Sequence, residues 1–299
     1  MATLPTPLRG PLLALAAFCA YACADVSIKA LGQGLHAIQV VLVCALCTLP
    51  WIIAQVVFTD RRASLRPVLL GWTLLRVGIT VVNSTLVTYT FSHLPLAQSY
   101  AVFFTMPLMI TVLAWPLLGE RIDMMRGAIV FAGFCGVLIA LRPGEVTFQL
   151  AHLTAIGGAT LGALNSLILR KTGLRERAGV MLLYPALAQI VMGGLLLPLV
   201  YRPMTGLDWQ IAGLVGVLGT IGGFCLIAAY RHAPAIMVAP MQYSQIVWAS
   251  MLGVIFFDER MEPTTALGIG VIIAAGLALL FQATRGIADK SGLTGANRS

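Results

Sequence analysis

Ten apolar stretches follow one another along the chain, each about as long as a bilayer core is thick. They run at Leu8–Leu31, His36–Phe58, Val68–Phe91, Leu96–Leu118, Met124–Leu141, Gln149–Leu169, Val180–Val200, Trp209–Tyr230, Ala235–Phe257 and Thr264–Gln282. A hydrocarbon core of about 30 Å takes about 20 apolar residues in helical form, and inside it the backbone must bond to itself. The links between stretches are too short to hold a soluble domain. Composition closes the other route: 59% of residues are hydrophobic and 10% charged, against about 25% charged in a soluble protein, so a water-facing surface could not be covered. The sequence predicts an all-α integral membrane protein with ten transmembrane helices. Its first stretch is longer than a signal core of about 7–15 residues and carries Asp25, so it is read as a span.

Lys and Arg set the orientation, because moving them across the membrane is disfavoured. With the N-terminus inside, only Lys29, Arg142, Arg202 and Arg260 fall outside, and Arg76 lies within a span. Both termini are therefore expected to be cytoplasmic, in a plasma membrane of the bacterial inner-membrane kind, with residues 283–299 as a cytoplasmic tail that is polar and disordered from Ile287 to Ser299. The net charge of +8 follows from this bias and calls for no nucleic-acid partner.

One frame occurs twice without a gap. HLPLAQSYAVFFTMPLMITVLAWPLLGER, from His93 to Arg121, and HAPAIMVAPMQYSQIVWASMLGVIFFDER, from His232 to Arg260, both open with His-x-Pro and close with Glu-Arg. Thr105 and Ser244 match within the frame, as do Thr111 and Ser250. Each half of the chain holds five spans, an odd number, so the second half must enter the membrane in the opposite sense. Residues 8–141 and 149–282 are read as inverted five-helix repeats, an arrangement on which many secondary transporters are built.

The fourth span carries FFTMPL (Phe103 to Leu108) and ends in LGER (Leu118 to Arg121); a glycine-spaced fifth span and LRPG (Leu141 to Gly144) follow. Over nearly its whole length the chain resembles the EamA-type permeases of the drug/metabolite transporter superfamily. The resemblance implies a central cavity walled by spans one, three, four, six, eight and nine, with five and ten at the periphery. It also implies transport of a small organic metabolite by alternating access, and it leaves the substrate open. Efflux of an amino acid or similar zwitterion or anion is the preferred reading, with uptake of a vitamin or nucleoside-like metabolite as the alternative. The second copy of the frame departs from the family pattern at Asp258, where Gly is usual before the Glu.

Small residues recur every fourth position in spans five (Ala128, Ala132, Gly136) and ten (Ala266, Gly270, Ala274, Ala278). Such spacing lets helices approach closely in lipid, either within the subunit or in a homodimer through these two helices.

Charges near the bilayer centre cost about 2.5–3.5 kcal/mol on insertion scales and are rarely there without a role. Asp25 and Arg76 qualify. Asp25 either pairs locally with Lys29, four residues on, or faces the cavity as a ligand for a substrate amine or a coupling proton. Arg76 either snorkels to the interface or holds a carboxylate or phosphate in a bidentate fork. Tyr21, Asn83, Tyr89, Tyr100, Asn165, Gln242, Tyr243, Gln245 and Trp248 fall in the cavity spans as further candidates. Pro107 and Pro240 each break a helix ladder, though they are out of register in the repeat frame. Glu120, Arg121, Glu259 and Arg260 are read as structural bridges to the following helix, or as gates, and His93 and His232 as boundary residues. No Gly-x-x-x-x-Gly-Lys frame occurs, and the Cys44/Cys47 pair has no neighbouring ligands, so neither a cofactor nor a metal is expected. Without a nucleophile and base constellation, an integral-membrane enzyme is disfavoured, and a passive scaffold or channel is the remaining class.

Overall fold

The computed structural model describes residues 6–59, 66–118, 124–141, 149–172, 176, 178–233 and 238–296. Its elements, all helical, are α1 (Thr6–Gly34), α2 (Ala37–Thr59), α3 (Leu70–His93), α4 (Leu96–Phe103), α5 (Met106–Leu118), α6 (Met124–Leu141), α7 (Leu150–Thr172), α8 (Ala178–Val200) and α9 (Gly206–His232). A 3-10 segment (Ala239–Tyr243), α10 (Ser244–Phe257) and α11 (Pro263–Ala296) complete the chain. Among the described residues, seven helical segments are long and apolar enough to cross a membrane, α4 and α5 counting as one, and three shorter apolar helices accompany them.

Local chemistry sets several boundaries. Pro95, with φ at −55°, immediately precedes α4, where its missing N–H costs nothing. Thr205 and Asp208 form a reciprocal capping box at the start of α9. Glu176, in the link before α8, accepts hydrogen bonds from the backbone N–H of Val68 and Leu69 and from the Thr73 hydroxyl. A carboxylate at that point satisfies amides that a helix N-terminus leaves unpaired and complements its dipole.

The fourth span is interrupted within its length, as Pro107 led one to expect: a turn at Phe104–Thr105 divides α4 from α5, because Pro107 has no N–H to bond the carbonyl one turn back. One expectation changes. At the C-terminus, α11 runs as helix to Ala296, where a disordered tail was expected. No proline interrupts it after Pro263.

Glu176 and Lys29 mark opposite ends of the bundle. The principal hydrophobic core lies toward the Lys29 end, joining Val26 of α1, Phe91 of α3, Tyr100 of α4, Ala155 of α7 and Ile246 of α10. A smaller cluster near the Glu176 end draws on α1, α9 and Val238, with Met241 packed against it. Among the described residues, the larger share of the apolar packing thus lies at the Lys29 end. Beside the core, α6 and α11 cross so closely that a Cβ on Gly268 would lie 2.5 Å from the Gly136 carbonyl oxygen. Only glycine permits that approach. Ala128, Ala132, Ala266, Gly270 and Ala274 instead face outward.

The sequence frame has a physical counterpart. His93 Nδ1 lies 2.9 Å from the Tyr89 carbonyl oxygen, and His232 Nδ1 lies 2.8 Å from that of Ala228. Leu94 N–H donates to Thr90 O and Ala233 N–H to Ala229 O at corresponding positions. Each histidine, with the residue after it, therefore closes the helix before it, α3 or α9.

Candidate functional site

The 3-10 segment meets α10 at Tyr243–Ser244, the position in the frame that corresponds to the Phe104–Thr105 break. The prolines are out of register, yet the breaks coincide. The Thr105 hydroxyl donates to Val102 O and the Ser244 hydroxyl to Met241 O, both at 2.6 Å. Each hydroxyl thus supplies a bond at the interrupted ladder. Phe104 and Tyr243 meet edge to face across the breaks, with ring centroids 5.3 Å apart. Unwound backbone at membrane depth is tolerated where protein or a cavity covers it.

Beside these breaks lie three of the predicted candidates. The Tyr100 hydroxyl of α4 donates to Asp25 Oδ2 of α1. Gln245 Nε2 of α10 reaches the same carboxylate oxygen at 3.1 Å and the Tyr100 hydroxyl oxygen at 3.0 Å. Three helices from both halves of the chain therefore converge on one carboxylate. A row of rings extends from this cluster: Tyr243 touches Phe104, Phe104 touches Tyr100, Tyr100 touches Phe91, and Phe91 meets Phe103 edge to face.

Lys29 does not pair with Asp25. Its ammonium lies 2.8 Å from Glu259 Oε1, the two side chains being 6% and 14% exposed. It also donates to the carbonyls of Phe91 and Leu94 at the end of α3. Glu259 Oε2 accepts from Leu96 N–H, at the start of α4, at 2.8 Å. Glu259 thus ties α10 to α1 and α4, whereas a bridge to the following helix was expected. A buried ammonium gathers every acceptor within reach because an unsatisfied one is costly there.

Asp258 makes this possible. It is the only described non-glycine residue with positive φ, at 53°, and the Glu259 N–H returns to Gly253 O. The chain thereby doubles back over Gly253, where a Cβ would lie 2.6 Å from Glu259 Oε2. The left-handed conformation explains why glycine is usual here, and Asp is among the few other residues that tolerate it. Asp258→Val is expected to lower stability by about 1–2 kcal/mol, whereas Asp258→Gly leaves it unchanged or higher. Thermal unfolding in detergent reads both.

Other candidates sit apart. Arg76 Nη1 donates to Met181 O of α8 at 2.9 Å, away from Asp25. Its Nε, together with Asn83 Oδ1, Asn165 Oδ1 and Trp248 Nε1, is buried without a hydrogen-bond partner. Tyr21 packs against Gly222 of α9, and Tyr89 stacks on His93. Gln242 is exposed, as is Arg260. Glu120 and Arg121 lie outside the described residues. Two polar ties were missed in the sequence: Gln189 to Ser84 at 2.6 Å, and Gln39 of α2 to the Arg202 backbone through both N–H and C=O. Gln39 ties the link before α9 at the Lys29 end, as Glu176 ties the link before α3 at the other.

The chain is 28% identical over 271 residues to a riboflavin transporter of Vibrio cholerae, spanning 89% of this chain and 91% of that protein. It is 27% identical to an S-adenosylmethionine uptake transporter of Rickettsia prowazekii, over 89% and 90% of the two chains. A solved crystal structure superposes with a TM-score of 0.63 at 17% identity, covering 93% of this chain and 99% of the other, a likeness of fold alone. The EamA-like transporter family matches twice, over residues 8–142 and 149–282, and the chain belongs to that family.

Proposed function

We infer that the protein is a secondary carrier that takes up a small metabolite bearing a heteroaromatic ring, of the vitamin or nucleoside-like class. The observation that carries this reading is the row of rings from Tyr243 to Phe103 beside the Asp25–Tyr100–Gln245 cluster. Aromatic side chains offer a planar ligand stacking faces, and the carboxylate with its amide and hydroxyl partners offers directional polar contacts. The names of both relatives favour the same substrate class over amino acids, and that of the Rickettsia prowazekii protein favours uptake over efflux. Arg76, the cation invoked for an amino-acid carboxylate, turns toward the Met181 carbonyl.

In this reading the chain forms ten spans as two inverted repeats, residues 8–141 and 149–282, with both termini cytoplasmic in a bacterial plasma membrane. In this orientation the Glu176 end is the cytoplasmic one, and substrate leaves the ring row toward it while the Lys29 end is closed by the core and the Lys29–Glu259 pair. The halves then rock about the aligned breaks to open the other side. A homodimer would use the outward alanines of α6 and α11.

Proteoliposomes offered a mixture of riboflavin, S-adenosylmethionine, nucleosides and amino acids are expected to accumulate a ring-bearing species saturably, read by mass spectrometry. Accumulation of amino acids alone would return the efflux reading. A chemically altered compound would indicate an enzyme, and flux without saturation a passive pore.

A further inference from the structure

The unpaired polar atoms of Arg76, Asn83 and Asn165 share one seam. The Thr90 and Thr154 hydroxyls lie 2.9 Å apart, Leu86 lies over Gly157, and Val87 and Asn83 lie over Gly158. Residue numbers therefore rise along α3 as they fall along α7, and the two helices run antiparallel face to face. Continuing that register by two turns, about 10 Å at 1.5 Å per residue, brings Arg76 level with Asn165. Residues seven apart return to the same face of a helix. Asn83 and Arg76 thus lie on the α3 face that meets α7, and Gly158 and Asn165 on the α7 face that meets α3.

This seam is continuous with the row of rings. Phe103, the last ring of the row, lies 3.2 Å from the point where a Gly158 Cβ would stand, and Asn83 Oδ1 lies 3.8 Å from the same point. Met106 covers Gly162, between the Asn83 and Asn165 levels. Buried polar atoms are nearly always hydrogen-bonded, and those left unmatched mark a place where a partner belongs. Three along one seam, at the edge of an aromatic row, indicate a partner of some length that carries several donors and acceptors.

We propose that Asn83, Asn165 and Arg76 form a second polar subsite, which binds a flexible polar chain attached to the ring of the transported metabolite. This rests on the ring-bearing reading above and adds to it. The chain is of the polyhydroxyl or amino-acid type: hydroxyl or amine hydrogens donate to the two amide oxygens, and a hydroxyl or carboxylate oxygen accepts the Arg76 Nε–H. Either orientation of each amide leaves one polar atom facing the seam, which a hydroxyl, both donor and acceptor, can meet. These residues set specificity: they separate a ring that carries the chain from the same ring without it.

Matched pairs of probes test the assignment. Binding of riboflavin and of lumichrome, a related ring system without the ribityl chain, is measured with purified protein, as is binding of S-adenosylmethionine and of adenine. Wild type is expected to favour the chain-bearing member of at least one pair by about tenfold or more. Asn83→Ala and Asn165→Ala are expected to weaken that member about tenfold while changing the bare ring less than twofold. Because each substitution removes an unpaired atom, the thermal unfolding temperature is expected not to fall. Equal weakening of both members, or a wild type indifferent to the chain, would overturn the subsite while leaving the ring-bearing reading in place. If neither member of either pair binds, the ring-bearing reading fails and this proposal fails with it.

Discussion

Asp25→Asn is expected to abolish the response of uptake to a pH gradient while changing substrate affinity by less than a few fold. Asn preserves the shape of Asp and offers a carbonyl oxygen to Tyr100 and Gln245, so the cluster holds together. What it loses is the capacity to bind and release a proton at the point where α1, α4 and α10 meet. A carboxylate whose partners come from both halves of the chain is placed so that its protonation changes how those halves attract each other. Proteoliposomes with an imposed acid-outside gradient provide the measurement. Wild type is expected to accumulate substrate faster with the gradient than without it, and the variant equally in both. Unchanged stimulation in Asp25→Asn would remove Asp25 from coupling, and loss of binding itself would show that the negative charge, and not only the polar contacts Asn retains, is needed to hold substrate.

Lys29→Met is expected to cost about 3–5 kcal/mol, because removing one partner of a buried ion pair leaves the other charge uncompensated. The side chains are 6% and 14% exposed, so solvent screens the pair little. Lys29→Met combined with Glu259→Gln removes both charges and keeps an acceptor for the Leu96 N–H, and most of the lost stability is expected to return. Transport separates two roles for the pair. If the pair is a gate that must form and break in each cycle, the double variant folds with near-native thermal stability yet transports at least tenfold more slowly. A double variant that transports at the wild-type rate would make the pair a fixed staple of the fold.

The residue types at the centre of the site are visible in the sequence, because a carboxylate inside an apolar span stands out. Their convergence is not visible. Lys29 illustrates why: spacing of four on a helix suggests Asp25 as its partner, but exposed pairs of that kind contribute only a few tenths of a kcal/mol. A buried carboxylate 230 positions along, at Glu259, outweighs it. Gln242 and Gln245 are three residues apart, yet a 3-10 segment ends between them, and Gln242 is exposed where Gln245 reaches Asp25. The aligned breaks were hidden for a related reason. Proline marks one position, whereas the interruption is shaped by the whole turn, and the matched hydroxyls of Thr105 and Ser244 were its better sign.

Those aligned breaks have a mechanical consequence. Phe104 and Tyr243 sit at the interruptions of their two chain halves and bear on each other, so in the rocking cycle proposed above the pair would serve as a common fulcrum with a lever on either side. A tilt of the helical segment beyond one break would then press on the ring at the other, coupling the swing of the two halves. Shaving either ring would loosen that bearing without touching any charged group, leaving two halves that bind and close yet no longer keep time with each other.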